Sequence, residues 1–328
     1  MAFSRDALQL DCAAETARIC EELRRVLRDP LHRRGLVVAT SGGIDSTVCA
    51  ALAVRALGPK NVATLIMPER DSSPLSKERG LALAAHLGVE PIVEDIAPAL
   101  EAIGCYRRRD AAIREVFPEY GPEWKNKITI SRNLAESDRI NYFHLHVEDP
   151  QGRVSTQRLP LGPYLQIVAA TNFKQRIRKT LEYFHADRLN YAVVGTPNRL
   201  EYDQGFFVKN GDGAADVKPI AHLYKTQVYA LAAHLGLPED LRNVQPTTDT
   251  YSMAQGQDEF YFVLPYDRMD LVLWAHNHAV PAEEAAAVMG YTPAQIERIY
   301  RDIETKRRTT RYLQLPPVLL GDVPEIKK

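Results

Sequence analysis

The chain has 328 residues, 45% hydrophobic and 25% charged, which supplies a core of ordinary globular size for one large domain or two small ones. A formal net charge of −1 leaves no overall field to draw nucleic acid or an acidic membrane surface, so neither is expected as a partner. Cys12, Cys20, Cys49 and Cys105 form no C-x-x-C pair, which argues against a zinc site and against a secreted disulfide framework. The N-terminal stretch carries early acids and no long apolar core, and no apolar run reaches membrane-spanning length, so the expected location is cytoplasmic.

Along the chain, apolar residues at helical spacing (Leu8, Cys12, Ala17, Ile19, Leu23, Val26) predict a first helix over Asp6–Leu27. A short buried strand follows at Leu36–Ala39, then a helix over Asp45–Leu57, ended by Gly58-Pro59. Val62–Met67 reads as a second strand, Pro74–Leu87 as a helix with Pro in its first turn, and Pro91–Ile96 as a third strand. Alternating strands and helices with short links predict a parallel, doubly wound sheet flanked by helices. Ligands of such sheets bind beyond the carboxyl ends of the strands, where Ser41–Ser46 and Met67–Ser72 lie.

The pattern then loosens. A helix is expected over Arg107–Val116 and a loop over Pro118–Lys127. Ile140–Val147 and Val154–Leu159 alternate about the turn Asp149-Pro150-Gln151-Gly152, a β-hairpin pattern. Helix resumes over Asn172–Phe184 and a fourth strand is expected at Asn190–Val194. After the glycine-rich stretch Gly205–Asp216 come helices at Lys225–Leu235, Asp267–Asn277, Pro281–Met289 and Thr292–Arg307, then a proline-rich tail. His144 and His146 share one strand face, but without further ligands they do not make a metal site.

The loop Ser41-Gly42-Gly43-Ile44-Asp45-Ser46-Thr47 follows the first strand and opens the next helix. Its glycines let backbone N–H groups converge on an anion, and the helix adds its positive end. Ser41, Ser46 and Thr47 add hydroxyl donors. No lysine follows the glycines, so this is not a Walker A loop. Asp45 would repel phosphate unless a cation lies between, which points to Mg2+; the alternative is a tight turn with Asp45 as a first-turn acid.

S-G-G-x-D-S after a buried strand resembles the pyrophosphate loop of the ATP pyrophosphatases, which cleave ATP to AMP and pyrophosphate. Within that superfamily, Gly195-Thr196-Pro197-Asn198-Arg199-Leu200-Glu201 and Gly205–Asp216 resemble the NAD synthetase patterns G-T-D-x-x-E and G-F-x-T-K-x-G-D-G-x-x-D. Asn172–Arg178, Pro219–Lys225, Pro246–Asp249, the set Asp258, Glu259, Tyr266 and Asp270, and Lys306-Arg307 are similar to further segments in the same order, so the resemblance covers roughly Arg18–Arg308.

The resemblance implies an adenine nucleotide α-hydrolase-like α/β fold with a helical C-terminal part. It implies one domain over residues 1–328, in which 128–164, with Arg132, Arg139, Arg153 and Arg158, is an insertion: a lid, a dimer contact or a surface elaboration. It implies ATP-dependent amidation of nicotinate adenine dinucleotide by ammonia, with Mg2+ as cofactor. It further implies a homodimer, and ammonia taken free or from a separate glutaminase, since no amidase domain is recognised in the chain.

By residue, the resemblance places ATP at Ser41, Gly42, Gly43, Asp45, Ser46, Thr47, Met67, Thr196, Lys225 and Thr247, and the metal at Asp45 and Glu201. It places the dinucleotide at Asn172, Arg176, Phe206, Lys209, Asp212 and Asp216. Asp45, Lys225 and Asp212 carry the catalytic roles, Asp212 ordering or deprotonating ammonium. Alone, each has a plainer reading: Lys225 as a solvated helix lysine, Glu201 as a surface acid, Gly211-Asp212-Gly213 as a hairpin turn. Pro197 and Val208 depart from the pattern; Pro197 and the inserted hairpin leave open an amide ligase for another carboxylate, and a silent nucleotide-binding regulator is a further alternative.

Overall fold

A computed structural model of the chain describes residues 3–130, 142–244, 251–253, 261 and 264–326. A single 3-10 turn at Arg5–Leu8 precedes helix α1 (Cys12–Arg28), so the predicted first helix is broken in two. Asp11 causes the break: its carboxylate accepts the N–H groups of Ala13 and Ala14 at 3.1 and 3.0 Å and starts α1 afresh. Strand β1 (Leu36–Ala39), helix α2 (Ile44–Leu57), strand β2 (Val62–Ile66), helix α3 (Pro74–Leu87) and strand β3 (Pro91–Val93) follow the predicted order. Two short helices, α4 (Ala97–Ala102) and α5 (Cys105–Arg114), come next.

Strands β4 (Lys125–Ile130), β5 (Phe143–Glu148) and β6 (Val154–Arg158) form an antiparallel sheet in that order. The predicted hairpin is therefore two strands of three. Strand β4 begins inside the predicted loop because one of its inward positions is the polar Asn126, which hides the alternation. That side chain is fully buried, donates to the Tyr120 hydroxyl at 2.8 Å, and its main chain donates to Ser252 Oγ at 2.9 Å.

Helix α6 (Leu161–Leu189) is 29 residues long, beginning well before the predicted Asn172. Pro163 lies in its first turn, where a missing N–H costs no helical hydrogen bond. Left-handed Asn190 ends it and shortens the fourth parallel strand to β7 (Ala192–Val193). Helix α7 (Arg199–Gln204) was not expected; α8 (Lys225–His234) was, and α9 (Glu239–Arg242) was not. The last three helices are α10 (Tyr266–Asn277), α11 (Ala282–Met289) and α12 (Pro293–Gln314).

The parallel sheet has the order β3-β2-β1-β7. Its centre is β1, where Leu36, Val37 and Val38 are all fully buried. Leu36 and Val38 join a core built with α1, α2 and α8, while Val37 joins the opposite core with α4, α5 and α6. Burial on both faces is why β1 reads as a continuous apolar run. The doubly wound α/β fold is as expected, and α10–α12 pack as a helical C-terminal part around Met269, Val272, Ile296 and Ile303. Among the described residues no helix is long and apolar enough to cross a membrane.

Helix α10 also fixes where α8 begins. Asp270, buried completely, accepts the N–H groups of Lys225 and Thr226 at 3.3 and 2.7 Å. Two first-turn amides that have no partner within α8 are thereby satisfied. Burial raises the Asp270 carboxyl and those hydrogen bonds lower it, leaving it up from 3.8 to about 6.

Two measurements test this framework. Leu52→Ala in the α2 core should lower the unfolding free energy by ~2–5 kcal/mol, whereas Leu75→Ala on the exposed face of α3 should change it by at most ~0.5 kcal/mol. Because the folded-state value of Asp270 is raised, its contribution is present at low pH and lost as pH rises through about 6. Urea unfolding should therefore show wild type losing stability relative to Asp270→Asn between about pH 4 and about pH 7. A gap that stays constant would contradict the raised carboxyl.

Candidate active site

The chain turns sharply after β1. Gly42 has φ 77°, and a Cβ there would lie 2.9 Å from the Ser76 carbonyl oxygen, so both backbone shape and space require glycine. The hydroxyls of Ser41 and Ser46 are used inside the loop. Ser46 Oγ donates to the Gly43 carbonyl at 3.0 Å, and Gly43 N–H donates to Ser41 Oγ at 3.3 Å. Gly43 caps α2 without a side chain, so the helix end meets the cavity with backbone alone.

Two side chains from later in the chain converge on Asp45, in the first turn of α2. Asn198 Nδ2 donates to its Oδ1 at 3.2 Å, and the Lys225 ammonium is in direct contact with its Oδ2. Lys225 is 1% exposed. Burial works against its charge, but Asp45 and then Glu201 outweigh burial and raise it, so it stays an ammonium.

Glu201 is the third position of an N-terminal capping box on α7. Asn198 N–H donates to Glu201 Oε2 at 3.1 Å, and Glu201 N–H to Asn198 Oδ1 at 3.2 Å. Burial, and then the Asp45 carboxylate, push Glu201 well above the usual carboxylate range, with Lys225 opposing. The plainer readings fail for both residues: Lys225 is not solvated, and Glu201 is not on the surface.

A cavity of about 720 Å3 opens over this cluster. Of the residues expected at ATP, it is lined by Ser41, Gly42, Gly43, Asp45, Ser46, Met67, Thr196 and Lys225. Glu201 lines it too, as do Asn172, Arg176, Phe206, Lys209 and Asp212 from the residues expected at the dinucleotide. Two predicted residues are not brought in. Thr47 is buried below the loop. Asp216 turns to the sheet edge, accepting Val193 N–H at 2.7 Å and the Tyr183 hydroxyl at 3.3 Å. Thr247, with Pro246–Asp249, Asp258, Glu259, Arg132 and Arg139, lies outside the described residues.

The segment Gly205–Asp216 folds into a tight turn pressed on α6. A Cβ on Gly213 would lie 2.3 Å from the Phe207 ring, and Asp212 Oδ1 accepts Val208 N–H at 2.8 Å. Gly211-Asp212-Gly213 is a turn, but no strands flank it among the described residues, so it is not a hairpin turn, and it presents Asp212 to the cavity. Burial raises the Asp212 carboxyl, against the lowering effect of the Val208 N–H. Phe206 stacks on Tyr261 at 4.8 Å between ring centroids. The Lys209 ammonium donates to the carbonyls of Tyr312 and Leu315 at 2.8 and 3.2 Å, tying this turn to the end of α12.

Several lining residues were missed from the sequence. Gln175, Lys179 and Glu182 follow Asn172 at spacings of three, four and three, which puts them on one face of α6. Lys179 and Glu182 form a buried pair at 2.6 Å. That spacing was readable; that this face meets the cavity was not. Tyr251 also lines the cavity and stood in no recognised segment.

The sequence model of the NAD synthase family matches residues 15–117 and 116–311. The chain is 59% identical over 327 residues to the NH(3)-dependent NAD(+) synthetase of Rhizobium meliloti (strain 1021), covering 100% of this chain and 97% of that one. It is 35% identical over 296 residues to the protein of the same description from Thermotoga neapolitana, covering 89% and 93%. Among solved structures, NH3-dependent NAD synthetase from Campylobacter jejuni aligns with a TM-score of 0.61 at 23% identity, over 95% of this chain and 100% of that one, a likeness of fold. Given these matches, running nearly end to end, the chain belongs to the NAD synthase family.

Proposed function

We propose that this enzyme is a carbon–nitrogen ligase that amidates nicotinate adenine dinucleotide to NAD, using ATP and ammonia. The observation that carries the reading is the single cavity joining the Ser41–Ser46 loop, with Asp45, Glu201 and Lys225, to the α6 and Gly205–Asp212 side. The descriptions of the relatives support the same substrates.

In the first step, a carboxylate oxygen of the dinucleotide bonds to the α-phosphorus of ATP. The bond from that phosphorus to the bridging oxygen breaks, and pyrophosphate leaves. In the second, the nitrogen of ammonia bonds to the acyl carbon, the carbon–oxygen bond to AMP breaks, and the nitrogen gives up a proton. No covalent protein intermediate is needed. Holding two anionic nucleotides in line is the main task, and loop amides with the Lys225 ammonium oppose the charge that builds on the departing pyrophosphate.

Asp45 and Glu201 bring two acids to one ammonium, and the proton affinity of Glu201 is raised by burial and then by Asp45. The described residues contain no group of three or more histidine, cysteine or acidic ligands. As a pair of carboxylates, Asp45 and Glu201 would hold Mg2+. When bound, the ion neutralises charge on the phosphates. Asp212, placed on the dinucleotide side with its carboxyl raised by burial, orders the ammonium and takes its proton.

The same reading takes residues 1–328 as one domain, working as a homodimer, with ammonia free or handed over by a glutaminase. Ile130, Phe143 and Tyr164 line the cavity, which supports the lid reading for the described part of the insertion.

Incubated with Mg-ATP, nicotinate adenine dinucleotide and ammonium, the enzyme should yield NAD, AMP and pyrophosphate in equal amounts. ADP as product, or turnover only with a different acid, would overturn the reading. Asp45→Asn and Lys225→Met should each lower kcat by roughly 100- to 1,000-fold. Asp212→Asn keeps the acceptor for Val208 N–H and removes the charge. It should raise the KM for ammonium more than the KM for ATP, and equal changes in both would remove the ammonium role.

A further inference from the structure

Behind the cavity lies a group of charges that does not line it. Lys174, fully buried on α6, donates to Glu69 Oε1 at 2.9 Å and Asp71 Oδ2 at 2.8 Å. Asp71 is also in direct contact with Arg109 of α5, whose guanidinium binds Asp110 at 2.8 Å. The Tyr106 hydroxyl donates to Glu69 Oε2 at 2.8 Å, and Arg70 lies 3.9 Å over the Tyr106 ring. Burial pushes the Asp71 carboxyl up, but Lys174 and then Arg109 outweigh it and hold it below its usual range, so Asp71 stays a carboxylate.

Glu69, Asp71, Lys174 and Arg109 are almost wholly withdrawn from solvent. Charges taken out of water stabilise a fold little better than apolar side chains of the same size. What the cluster does is positional. The segment from Met67 to Ser73 has no regular structure, yet both its ends, Met67-Pro68 and Ser72-Ser73, line the cavity. Its middle, Glu69 to Asp71, turns away and is held by the cluster. Lys174 stands two residues from Asn172 and two from Arg176, which line the cavity while Lys174 faces away from it.

We propose that Lys174 is a positioning residue that locks the loop after β2 onto α6, so that the nucleotide wall of the cavity is already formed before ATP binds. The proposal rests on the reading of Met67 as an ATP contact. A wall set in advance spares the ordering that binding would otherwise impose, so its loss weakens ATP binding and leaves the chemical step intact. The dinucleotide side, built from α6 and the Gly205–Asp212 turn, has its own supports at Val208 and Tyr312 and is not expected to change.

The test is steady-state kinetics with each substrate varied in turn, on Glu69→Gln/Asp71→Asn/Lys174→Met, which leaves neither carboxylate stranded, and on the milder Tyr106→Phe. The triple variant should raise the KM for ATP about tenfold and Tyr106→Phe about two- to fivefold, with kcat within about threefold and the KM for the dinucleotide unchanged; tenfold corresponds to ~1.4 kcal/mol. Folded variants with the wild-type KM for ATP, or with equal rises in both KM values, would overturn the proposal. ATP affinity is also measured directly by calorimetry. If wild type fails to amidate the dinucleotide, the proposed function falls, and an undiminished ATP affinity in the variants would still refute the clamp.

Discussion

The contact between the Lys225 ammonium and the Asp45 carboxylate is the interaction on which the site depends. A lysine sunk to 1% exposure must be met by opposite charge, or it loses its proton. Asp45 meets it from α2, Glu201 stands beside the pair from α7, and Asn198 bonds to both acids. Helix α2 therefore meets α7 and α8, from much later in the chain, at one point beyond the carboxyl end of the central strand. Asp270 holds the first turn of α8 from outside and fixes where Lys225 leaves the helix.

The glycine loop is the complement of that cation. Ser46 Oγ donates to the loop's own backbone, Ser41 Oγ accepts from it, and the helix has no side-chain cap. What it offers a ligand is backbone and helix end, both suited to an anion. A Walker A loop carries its lysine within itself; here the cation arrives from the start of α8. In the function proposed, the anion cradle and the separate cation would hold the leaving pyrophosphate from two sides.

Much of this was legible in the sequence. β1 was recognised because both its faces are buried, and Gly42 because the turn admits no other residue. Asp45, Glu201, Lys225 and Asp212 came from ordered motifs, and the structure gathers all four at one cavity. What failed to show has physical causes. Strand β4 carries a buried asparagine satisfied by Tyr120 and Ser252, partners that no local pattern reveals. The early start of α6 was masked by Gly162 and Pro163, which read as breakers but sit in a first turn. Asp216 belongs to the recognised motif, yet its carboxylate is committed to Val193 and Tyr183. The cluster around Lys174 joins residues about a hundred positions apart, each of which looks like an ordinary surface charge in the sequence.

The central claim is that the dinucleotide's own carboxylate attacks the α-phosphorus of ATP within this cavity. Turnover of substrate labelled with 18O in the nicotinate carboxylate tests it most directly, read by mass spectrometry of the products. The account predicts AMP carrying one labelled oxygen and unlabelled pyrophosphate. Label absent from AMP, or found in inorganic phosphate alongside ADP, would contradict it.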